Sequence, residues 1–315
     1  MGSSSTEIAI IGAGIAGASA AHRLSELGLK ARVYEAEQHP GGRMAHARIG
    51  QARFDHGAQF FTTRGQTFRS VVDAAAADGA VKVWTNGFDE PPDGYERWRG
   101  VPDMTALAAW LLAQAEATVH LDERVHHLEH LEAPAIVLTP PVPVSLALAQ
   151  HSDLQPPDRL LNRLNGVEYK RTVAVLFSLE EHPEGLPTHG GIQLVDDPDL
   201  AFVTDNAAKG LSDVPAITVH LSNDASAALW DEPDQKLIEF ASAQLQAEIG
   251  PIVSVASMVE RWRYAGPVQV LEESALVWGN QPLIVMAGEA FNGPKVEGAF
   301  DSGRYAAEKI AEYLS

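Results

Sequence analysis

The sequence predicts an α/β fold in which both ends of the chain build one nucleotide-binding domain and an α+β domain is inserted between them. A strand-like run over 8–11 leads through a glycine-rich turn into a helical pattern and a second strand-like run. Near the other end, the apolar run 283–287 precedes a helical pattern over 296–314. Because the residues between these ends follow a different pattern, they predict a second unit.

The N-terminal unit has the order of elements that a βαβ unit requires. The run 8–11 is short, apolar and ended by Gly12, which is typical of a buried parallel strand. Small and apolar residues then recur at helical spacing until Gly28, which is placed to end the helix. The run 31–35, ARVYE, predicts the following strand. Strand, helix and strand therefore succeed one another as in a nucleotide-binding fold.

Three glycines of the first turn match the pattern G-x-G-x-x-G. Gly12 allows the tight turn, Gly14 lets a pyrophosphate approach the backbone, and Gly17 lets the helix pack closely on the strand. Glu35 ends the second strand, where a carboxylate can accept hydrogen bonds from ribose hydroxyls. With a carboxylate at Glu35 and no arginine nearby to bind a ribose 2′-phosphate, the sequence favours an adenosine diphosphate moiety without that phosphate.

A second glycine pair follows this unit. Gly41 and Gly42 precede Arg43 and Met44. A glycine pair lets the chain pass close to a bound ligand, and Arg43 can pair with its phosphates. A simple NAD dehydrogenase has no use for this element, although an ordinary turn with an exposed arginine has the same sequence.

The rest of the chain completes the predicted division into domains. The stretch 133–150 predicts a buried strand, a turn and the start of a helix, because prolines interrupt its apolar run. Residues 171–179 and 216–221 predict strands of a sheet with one face in water, and 234–249 predicts an amphipathic helix. The predicted nucleotide-binding domain comprises 1–66, 98–152 and 266–315, and the predicted substrate domain comprises 67–97 and 153–265.

The composition excludes several classes of function. The net charge of −19, from 23 basic and 42 acidic residues without a Lys/Arg run, argues against nucleic acid and membrane surfaces as partners. The absence of cysteine excludes disulfides, thiolate metal sites and a cysteine nucleophile. No metal site is predicted, because His126, His127 and His130 lie among acidic residues typical of an exposed stretch. The start MGSSSTE has no apolar run, so we expect no signal peptide and a cytoplasmic location.

Several segments resemble known flavoproteins. GAGIAGASAA (12–21), VYEAE (33–37) and PGGRM (40–44) resemble the FAD-binding start of the flavin amine oxidase superfamily. The segments FDHGAQFFTTR (54–64), RWRGVPDMTAL (97–107), ERWRYA (260–265) and AGEAFNGPKVEGAFDSG (287–303) resemble its renalase branch, in the same order. The resemblance implies a Rossmann-like FAD-binding domain of the two-dinucleotide-binding-fold type. Since the chain has no cysteine to tether a flavin, we expect FAD to be bound non-covalently.

The resemblance also implies positions for the parts of FAD. Glu35 would hold the adenosine ribose, Arg43 the pyrophosphate, and Val125 the adenine through its backbone, while Glu289 would contact the ribityl chain or the phosphate. In full, the residues implied in cofactor binding are Gly12, Gly14, Ile15, Ala16, Gly17, Glu35, Ala36, Gly42, Arg43, Met44, His56, Gly57, Ala58, Gln59, Val125, Thr139, Trp262, Gly288, Glu289, Val296, Glu297, Gly298 and Ala299.

The last helix adds a physical reason to place the flavin ring beside it. A helix that starts near Glu297 directs its positive end at the ring and stabilises negative charge at N1–C2=O of a reduced flavin. Lys295 either adds to this effect or is a solvated surface lysine.

The candidates for the reacting face are aromatic. Trp262 and Tyr264 alternate on a predicted strand, so they share one face and can form a wall against a flat substrate, unless they pack in the core. Arg263 is then expected to face solvent. Gln59 and Phe60 come from the segment that the resemblance places near the ring, and no general acid or base is assigned.

Three functions remain open on the sequence. The first is an FAD oxidase that transfers a hydride from an isomeric dihydro-NAD(P) to flavin N5 and is reoxidised by O2 to give hydrogen peroxide. The second is an amine oxidase acting on a small amine, and the third is a non-catalytic FAD-binding protein. Flavoproteins of this type place a hairpin after the adenine-contacting valine. Here only the nine residues 126–134 separate Val125 from the next predicted strand, so we expect this hairpin to be truncated.

Overall fold

The computed structural model of the protein describes residues 7–89 and 91–315. The fold is the predicted mixed α/β fold, with one largely parallel sheet and one antiparallel sheet. Residues 1–6, which carry most of the start expected to contain no signal peptide, lie outside the described residues.

The elements follow one another in this order along the chain. The strands are β1 (Ile8–Ile11), β2 (Ala31–Tyr34), β3 (His46–Ile49), β4 (Ala52–Asp55), β5 (Val81–Thr85), β6 (Arg97–Gly100), β7 (Thr118–His120), β8 (Ala135–Leu138), β9 (Tyr169–Leu179), β10 (Gly191–Gln193), β11 (Leu200–Asp205), β12 (Ala216–Leu221), β13 (Ser254–Pro267), β14 (Leu276–Trp278) and β15 (Leu283–Met286). The α-helices are α1 (Ile15–Glu26), α2 (Gln66–Ala77), α3 (Ala106–Gln114), α4 (Val142–His151), α5 (Asp158–Asn165), α6 (Asn223–Ala228), α7 (Asp234–Ile249) and α8 (Val296–Leu314).

The first sheet has the order β14-β15-β8-β1-β2-β7 and joins both ends of the chain. β1 pairs in parallel with β2 on one side and with β8 on the other, and β15 continues the parallel run beyond β8. The carboxyl ends of these strands therefore lie along one edge. The crevice outside that edge, where the strand order reverses, is where open α/β sheets bind ligands.

Two glycines allow α1 to pack closely on the turn after β1 and α8 to pack closely on α1. A Cβ atom on Gly17 of α1 would lie 2.0 Å from the Gly12 oxygen, and one on Gly303 of α8 would lie 2.1 Å from the Ala16 oxygen. Both approaches are open only to glycine. The close packing of α1 against β1 that the sequence predicts for Gly17 is present.

Helix α2 packs in the same core. Phe68 and Val72 are fully buried, and the Phe68 ring lies 4.8 Å from that of Phe300 on α8. The predicted division assigns 67–97 to the substrate domain, whereas these contacts tie α2 to the nucleotide-binding sheet. The domain boundaries remain a prediction.

The second sheet has the order β10-β11-β12-β9-β13, and its neighbouring strands are antiparallel. Helix α7 buries Leu237, Ala241 and Leu245 against it, as its amphipathic pattern predicts. The expectation that this sheet has one face in water is wrong for β12, in which all six residues are buried. The hairpin β3-β4 covers part of the other face, where Phe54 packs against Leu176.

A buried ion pair fixes this hairpin on the second sheet. The Lys209 ammonium, in the turn after β11, lies 2.7 Å from the Asp55 carboxylate at the end of β4, and the exposed fractions of the two side chains are 0% and 1%. The same carboxylate accepts a hydrogen bond from the Met104 amide at 3.0 Å. Burial lowers the pKa of Lys209, and the charge of Asp55 opposes this shift. Each charge therefore depends on the other.

We expect Lys209→Met to lower the free energy of unfolding by about 3–5 kcal/mol, because it removes the direct ion-pair partner of the buried Asp55 carboxylate. The double variant Lys209→Met/Asp55→Asn should recover part of this loss, since a neutral amide can still accept the Met104 hydrogen bond. Urea unfolding followed by fluorescence measures both effects. Lys236→Met, which removes an exposed pair with Glu232, is the control. A loss no larger than in this control would contradict the prediction.

Candidate functional site

A large cavity of about 1110 Å³ opens along the carboxyl edge of the first sheet. Its lining includes the glycine turn after β1, residues 123–127 beyond β7, the turn after β8 and the N-terminus of α8. On the opposite side it reaches β11, β12 and β13 of the second sheet. The cavity therefore lies between the carboxyl edge of the first sheet and the second sheet.

The glycine turn presents bare backbone to this cavity. Gly12 has a φ of +96°, in the left-handed region, and Gly14 immediately precedes α1. Within the described residues, no side chain caps the N-terminus of α1 and no acidic residue lies in its first turn. Its free N–H groups and partial positive charge remain available to an anion.

Glu35 lies beside this turn. Its carboxylate accepts hydrogen bonds from the Ala13 amide at 2.7 Å and the Glu37 amide at 3.1 Å, and the residue is 8% exposed. A carboxylate has room for further donors beyond these two. The side chain therefore has a fixed position in the cavity wall and can accept hydroxyl groups of a ligand.

Arg43 has an internal partner that the sequence did not reveal. Its guanidinium forms an ion pair with Glu289 and donates to the Tyr264 carbonyl at 3.1 Å. The other oxygen of Glu289 accepts the Tyr169 hydroxyl at 2.9 Å. Burial opposes the charge of Glu289, but the adjacent guanidinium outweighs it and lowers the pKa of this carboxyl. The pair is thus charged and positioned before any ligand arrives.

Aromatic side chains line the part of the cavity next to the second sheet. The Trp262 indole donates to the His56 carbonyl at 2.9 Å, and its ring stacks on the His56 ring at 5.2 Å between centroids. The Tyr264 ring packs edge-on against Tyr169 at 5.4 Å. These contacts fix both rings, so the wall is rigid and suited to a flat apolar group.

The two histidines behind this wall are neutral. His220 on β12 donates from Nε2 to the His56 carbonyl at 3.0 Å. Burial lowers the pKa of His220 to about 4, and burial together with the neighbouring His220 lowers the pKa of His56 to about 4. Neither ring carries a positive charge at neutral pH. The two histidines therefore add no charge to the aromatic end of the cavity.

Arg263 is exposed, as the alternation along β13 predicts, and it also lines the cavity with Trp262 and Tyr264. Arg261 does turn away and pairs with Asp234 at 2.6 Å.

Most of the residues proposed from the sequence line this one cavity. They are Gly12, Gly14, Ile15, Ala16, Glu35, Ala36, Gly42, Arg43, Met44, Gly57, Ala58, Gln59, Phe60, Val125, Thr139, Trp262, Tyr264, Glu289, Val296 and Ala299.

Five proposed residues do not line it. Gly17, Gly288 and Gly298 lie in backbone packing, and a Cβ on Gly298 would be 2.4 Å from the Gly293 oxygen. His56 lies behind Trp262 and reaches the site only through its carbonyl. Glu297 accepts hydrogen bonds from the Arg64 and Gly65 amides and faces a neighbouring cavity.

Sequence reasoning missed the contribution of the inserted unit. Thr172, Phe202, His220 and Asn223 line the cavity, although no motif marks them. The predicted truncation of the hairpin after Val125 is confirmed, because residues 126–134 form no strand and contain only the 3-10 turn Leu128–His130.

Comparisons with known proteins agree with this architecture. Residues 10–75 match the family model of an NAD(P)-binding Rossmann-like domain. Cyclohexylamine oxidase from Brevibacterium oxydans IH-35A is similar in structure, with a TM-score of 0.74, 13% identity, and coverage of 98% of this chain and 99% of that chain. A protein of Exiguobacterium sp. 255-15 provisionally named protoporphyrinogen oxidase has a TM-score of 0.73, 14% identity and coverage of 99% and 100%. Wild-type putrescine oxidase bound to putrescine has a TM-score of 0.68, 16% identity and coverage of 97% and 98%.

These likenesses show that the chain has the fold of these oxidases over nearly its whole length. In the ranges 7–89 and 91–315, no helix combines the length and apolar character needed to span a bilayer.

We expect the neutral histidines to make stability depend on pH. Their folded pKa of about 4 lies below the ordinary 6.5, so the stabilisation is complete above 6.5 and is lost as the pH falls towards 4. Between pH 7 and 5, each histidine should remove about 2 kcal/mol from the free energy of unfolding.

His220→Gln keeps a donor for the His56 carbonyl and should reduce this pH-dependent loss by about one histidine's share, roughly 2 kcal/mol. The measurement is urea unfolding at pH 7 and pH 5. His127→Gln, which changes an exposed histidine, serves as the control. Equal losses in the His220 variant and the wild type would show that His220 is not held neutral by the fold.

Proposed function

We propose that this protein is an FAD-dependent oxidoreductase that binds one FAD non-covalently. We further propose that it acts as a renalase-like oxidase, which converts an isomeric dihydro-NAD(P) to NAD(P)⁺ with O2 as electron acceptor. The observation that carries the proposal is the single cavity that joins a bare glycine turn and a ribose-type carboxylate to a rigid aromatic wall. Protein-bound flavin oxidases need both features in one site.

The residues present fit an extended dinucleotide. A Cβ on Gly42 would lie 3.5 Å from the Gly14 Cα, so a side chain at either glycine would occupy the space where two backbone turns face each other. The N-terminus of α1 and Arg43 supply positive potential there, and Glu35 supplies the hydroxyl acceptor. The volume of about 1110 Å³ exceeds that of most drug-sized pockets, as a cofactor together with a substrate requires.

In this arrangement the residues of the chain bind the cofactor and orient its parts. Glu35 would hold the adenosine ribose, the Gly12–Gly14 turn and Arg43 the pyrophosphate, and the N-terminus of α8 the pyrimidine edge of the ring. The fixed pair of Arg43 and Glu289 keeps the guanidinium in place, so little ordering is needed when the phosphates bind.

FAD supplies the two-electron acceptor: the dihydropyridine loses a hydride and becomes an aromatic pyridinium, while one proton and O2 complete the balance as hydrogen peroxide. Trp262 and Tyr264 align the donor ring, and the second sheet excludes water from it. Because aromatisation drives the loss of hydride, no general base is needed. This agrees with the neutral histidines at this end of the cavity.

An amine oxidase is the second candidate. Two of the structurally similar proteins are named for amine substrates, cyclohexylamine and putrescine. A rigid aromatic wall also suits a neutral amine. A non-catalytic FAD-binding protein is the third reading, and the continuous cavity on the substrate side argues against it.

Anaerobic stopped-flow mixing separates these functions. The FAD-loaded protein should lose its visible flavin absorbance on mixing with 2-dihydro or 6-dihydro isomers of NAD(P)H, and far more slowly with ordinary 4-dihydro NADH. Rapid bleaching by cyclohexylamine or putrescine, with none by the isomers, would assign the function to an amine oxidase. No bleaching by either class would favour the non-catalytic protein.

We expect Glu35→Ala to weaken FAD binding by about 1–3 kcal/mol, which is the contribution of a charged hydrogen bond. The measurement is the dissociation constant of FAD from flavin fluorescence on titrating the apoprotein. Glu308→Ala, on the exposed side of α8, provides the matched control. An unchanged dissociation constant in Glu35→Ala would remove Glu35 from the ribose site, and a protein that binds no FAD would refute the cofactor assignment.

A further inference from the structure

A second cavity of about 840 Å³ adjoins the first. The two share Ala58, Phe60 and the turn 294–296 as a common wall. Its other lining residues are 61–64, Arg69, Asn86, 93–97, Gln193 and Glu297. The second cavity therefore begins where the aromatic end of the first one stops, beside the N-terminus of α8.

The acidic groups of this second cavity already have partners. The Asp93 carboxylate lies 2.5 Å from the Arg97 guanidinium, and the Glu96 carboxylate lies 2.7 Å from that of Arg69. The Glu297 carboxylate accepts the Gly65 amide at 2.5 Å and the Arg64 amide at 3.0 Å. Asp93 and Glu96 are thus neutralised by arginines, whereas Glu297 keeps its negative charge, and the four basic side chains of the lining exceed its three carboxylates by one charge.

Two cations of the lining remain uncompensated. Among the described residues, neither the Arg64 guanidinium nor the Lys295 ammonium has an acidic group within ion-pair distance. Both residues are exposed, and Lys295 lines both cavities. In a chain of net charge −19, such a local excess of positive charge is a distinct feature. It lowers the free energy of an anion at this position.

We propose that the second cavity binds the phosphate groups of the substrate, while the substrate ring lies against the aromatic wall of the first cavity. The proposal rests on the proposed function and specifies its substrate as a ring that carries a phosphorylated tail. Phe60 forms the boundary between the two parts, and the Arg97 guanidinium lies 5.7 Å from the centre of its ring. A volume of about 840 Å³ accommodates a nucleotide tail and far exceeds the need of a single carboxylate.

This subsite explains how a strongly acidic protein can take an anionic substrate. Repulsion from the net charge acts at long range and is screened by salt, whereas Arg64 and Lys295 act at contact distance. A small amine has no group that would use either cation. The second cavity thus favours a phosphorylated substrate over the amines of the structurally similar oxidases.

The test compares two substrates that differ only in the tail: a dihydronicotinamide dinucleotide isomer and the corresponding phosphate-free riboside. In the FAD-loaded protein, Arg64→Gln/Lys295→Gln should raise the KM of the dinucleotide relative to that of the riboside by about ten- to a hundredfold. The ratio of the two KM values cancels any effect of Lys295 on the flavin itself. Lys30→Gln/Arg48→Gln, which removes the same charge from exposed positions elsewhere, should leave the ratio unchanged.

An unchanged ratio in the first double variant, or an equal change in the control, would overturn the subsite. If neither dihydronicotinamide reduces the flavin, the proposed function fails, and the subsite is then tested alone. Calorimetric titration of the FAD-loaded protein with inorganic pyrophosphate should show binding that Arg64→Gln/Lys295→Gln weakens at least about tenfold and the control does not. Absence of pyrophosphate binding in the wild type would refute the subsite as well.

Discussion

The geometry of the candidate site depends on how the chain is held at Asp55 and His56. The buried ion pair with Lys209 fixes Asp55 on the second sheet. The backbone carbonyl of Asp55 accepts hydrogen bonds from Gln59 and Thr218. The backbone carbonyl of His56 accepts hydrogen bonds from His220 and Trp262. Three of these donors belong to the second sheet, whereas the acceptors belong to the segment that continues into the cavity wall at 57–60. The backbone of Asp55 and His56 therefore fixes the position of the second sheet relative to the first. Because three of the donors, Gln59, His220 and Trp262, also line the cavity, the same hydrogen bonds fix both the fold and the position of the Trp262 ring.

The opposite end of the cavity is built from backbone rather than from side chains. Gly12, Gly14, Gly41 and Gly42 leave two turns facing each other, and the Gly41 amide donates to the Ala13 carbonyl at 3.0 Å. The Glu35 carboxylate accepts the Ala13 amide and so completes this closure. Such a site presents N–H groups and a helix terminus without the entropy loss of long side chains. Arg43, which lines this end, is held by Glu289. One end of the cavity is thus suited to phosphate and the other to a flat ring.

The sequence predicted those parts of the molecule in which local pattern and structure coincide. The strand Ile8–Ile11 and the helix Asp234–Ile249 occur with the predicted bounds, because their periodicity is decided within the element. The glycine turn, Glu35 and Arg43 were found through spacing within a single βαβ unit. By contrast, Lys209 and Asp55 lie far apart in the chain, and no local signal pairs a lysine in one turn with an aspartate in another. Alternation along β13 predicted the exposure of Arg263, but it did not show that this side chain also lines the cavity. His220 and Phe202 carry no motif, and only the packing of the second sheet brings them to the cavity.

The distribution of charge links these observations to function. The chain has a net charge of −19, and two of the four cations that line the second cavity, Arg69 and Arg97, are paired with carboxylates. Inside the first cavity, burial keeps His56 and His220 neutral, so these two rings do not attract a charged substrate. Arg263 is a charged side chain beside the aromatic wall, and it is exposed. The turn 294–296, which both cavities share, carries Lys295 at the boundary between them. In the function proposed above, a reacting face separate from the tail site would allow affinity to be set by the phosphates and reactivity by the alignment of the ring.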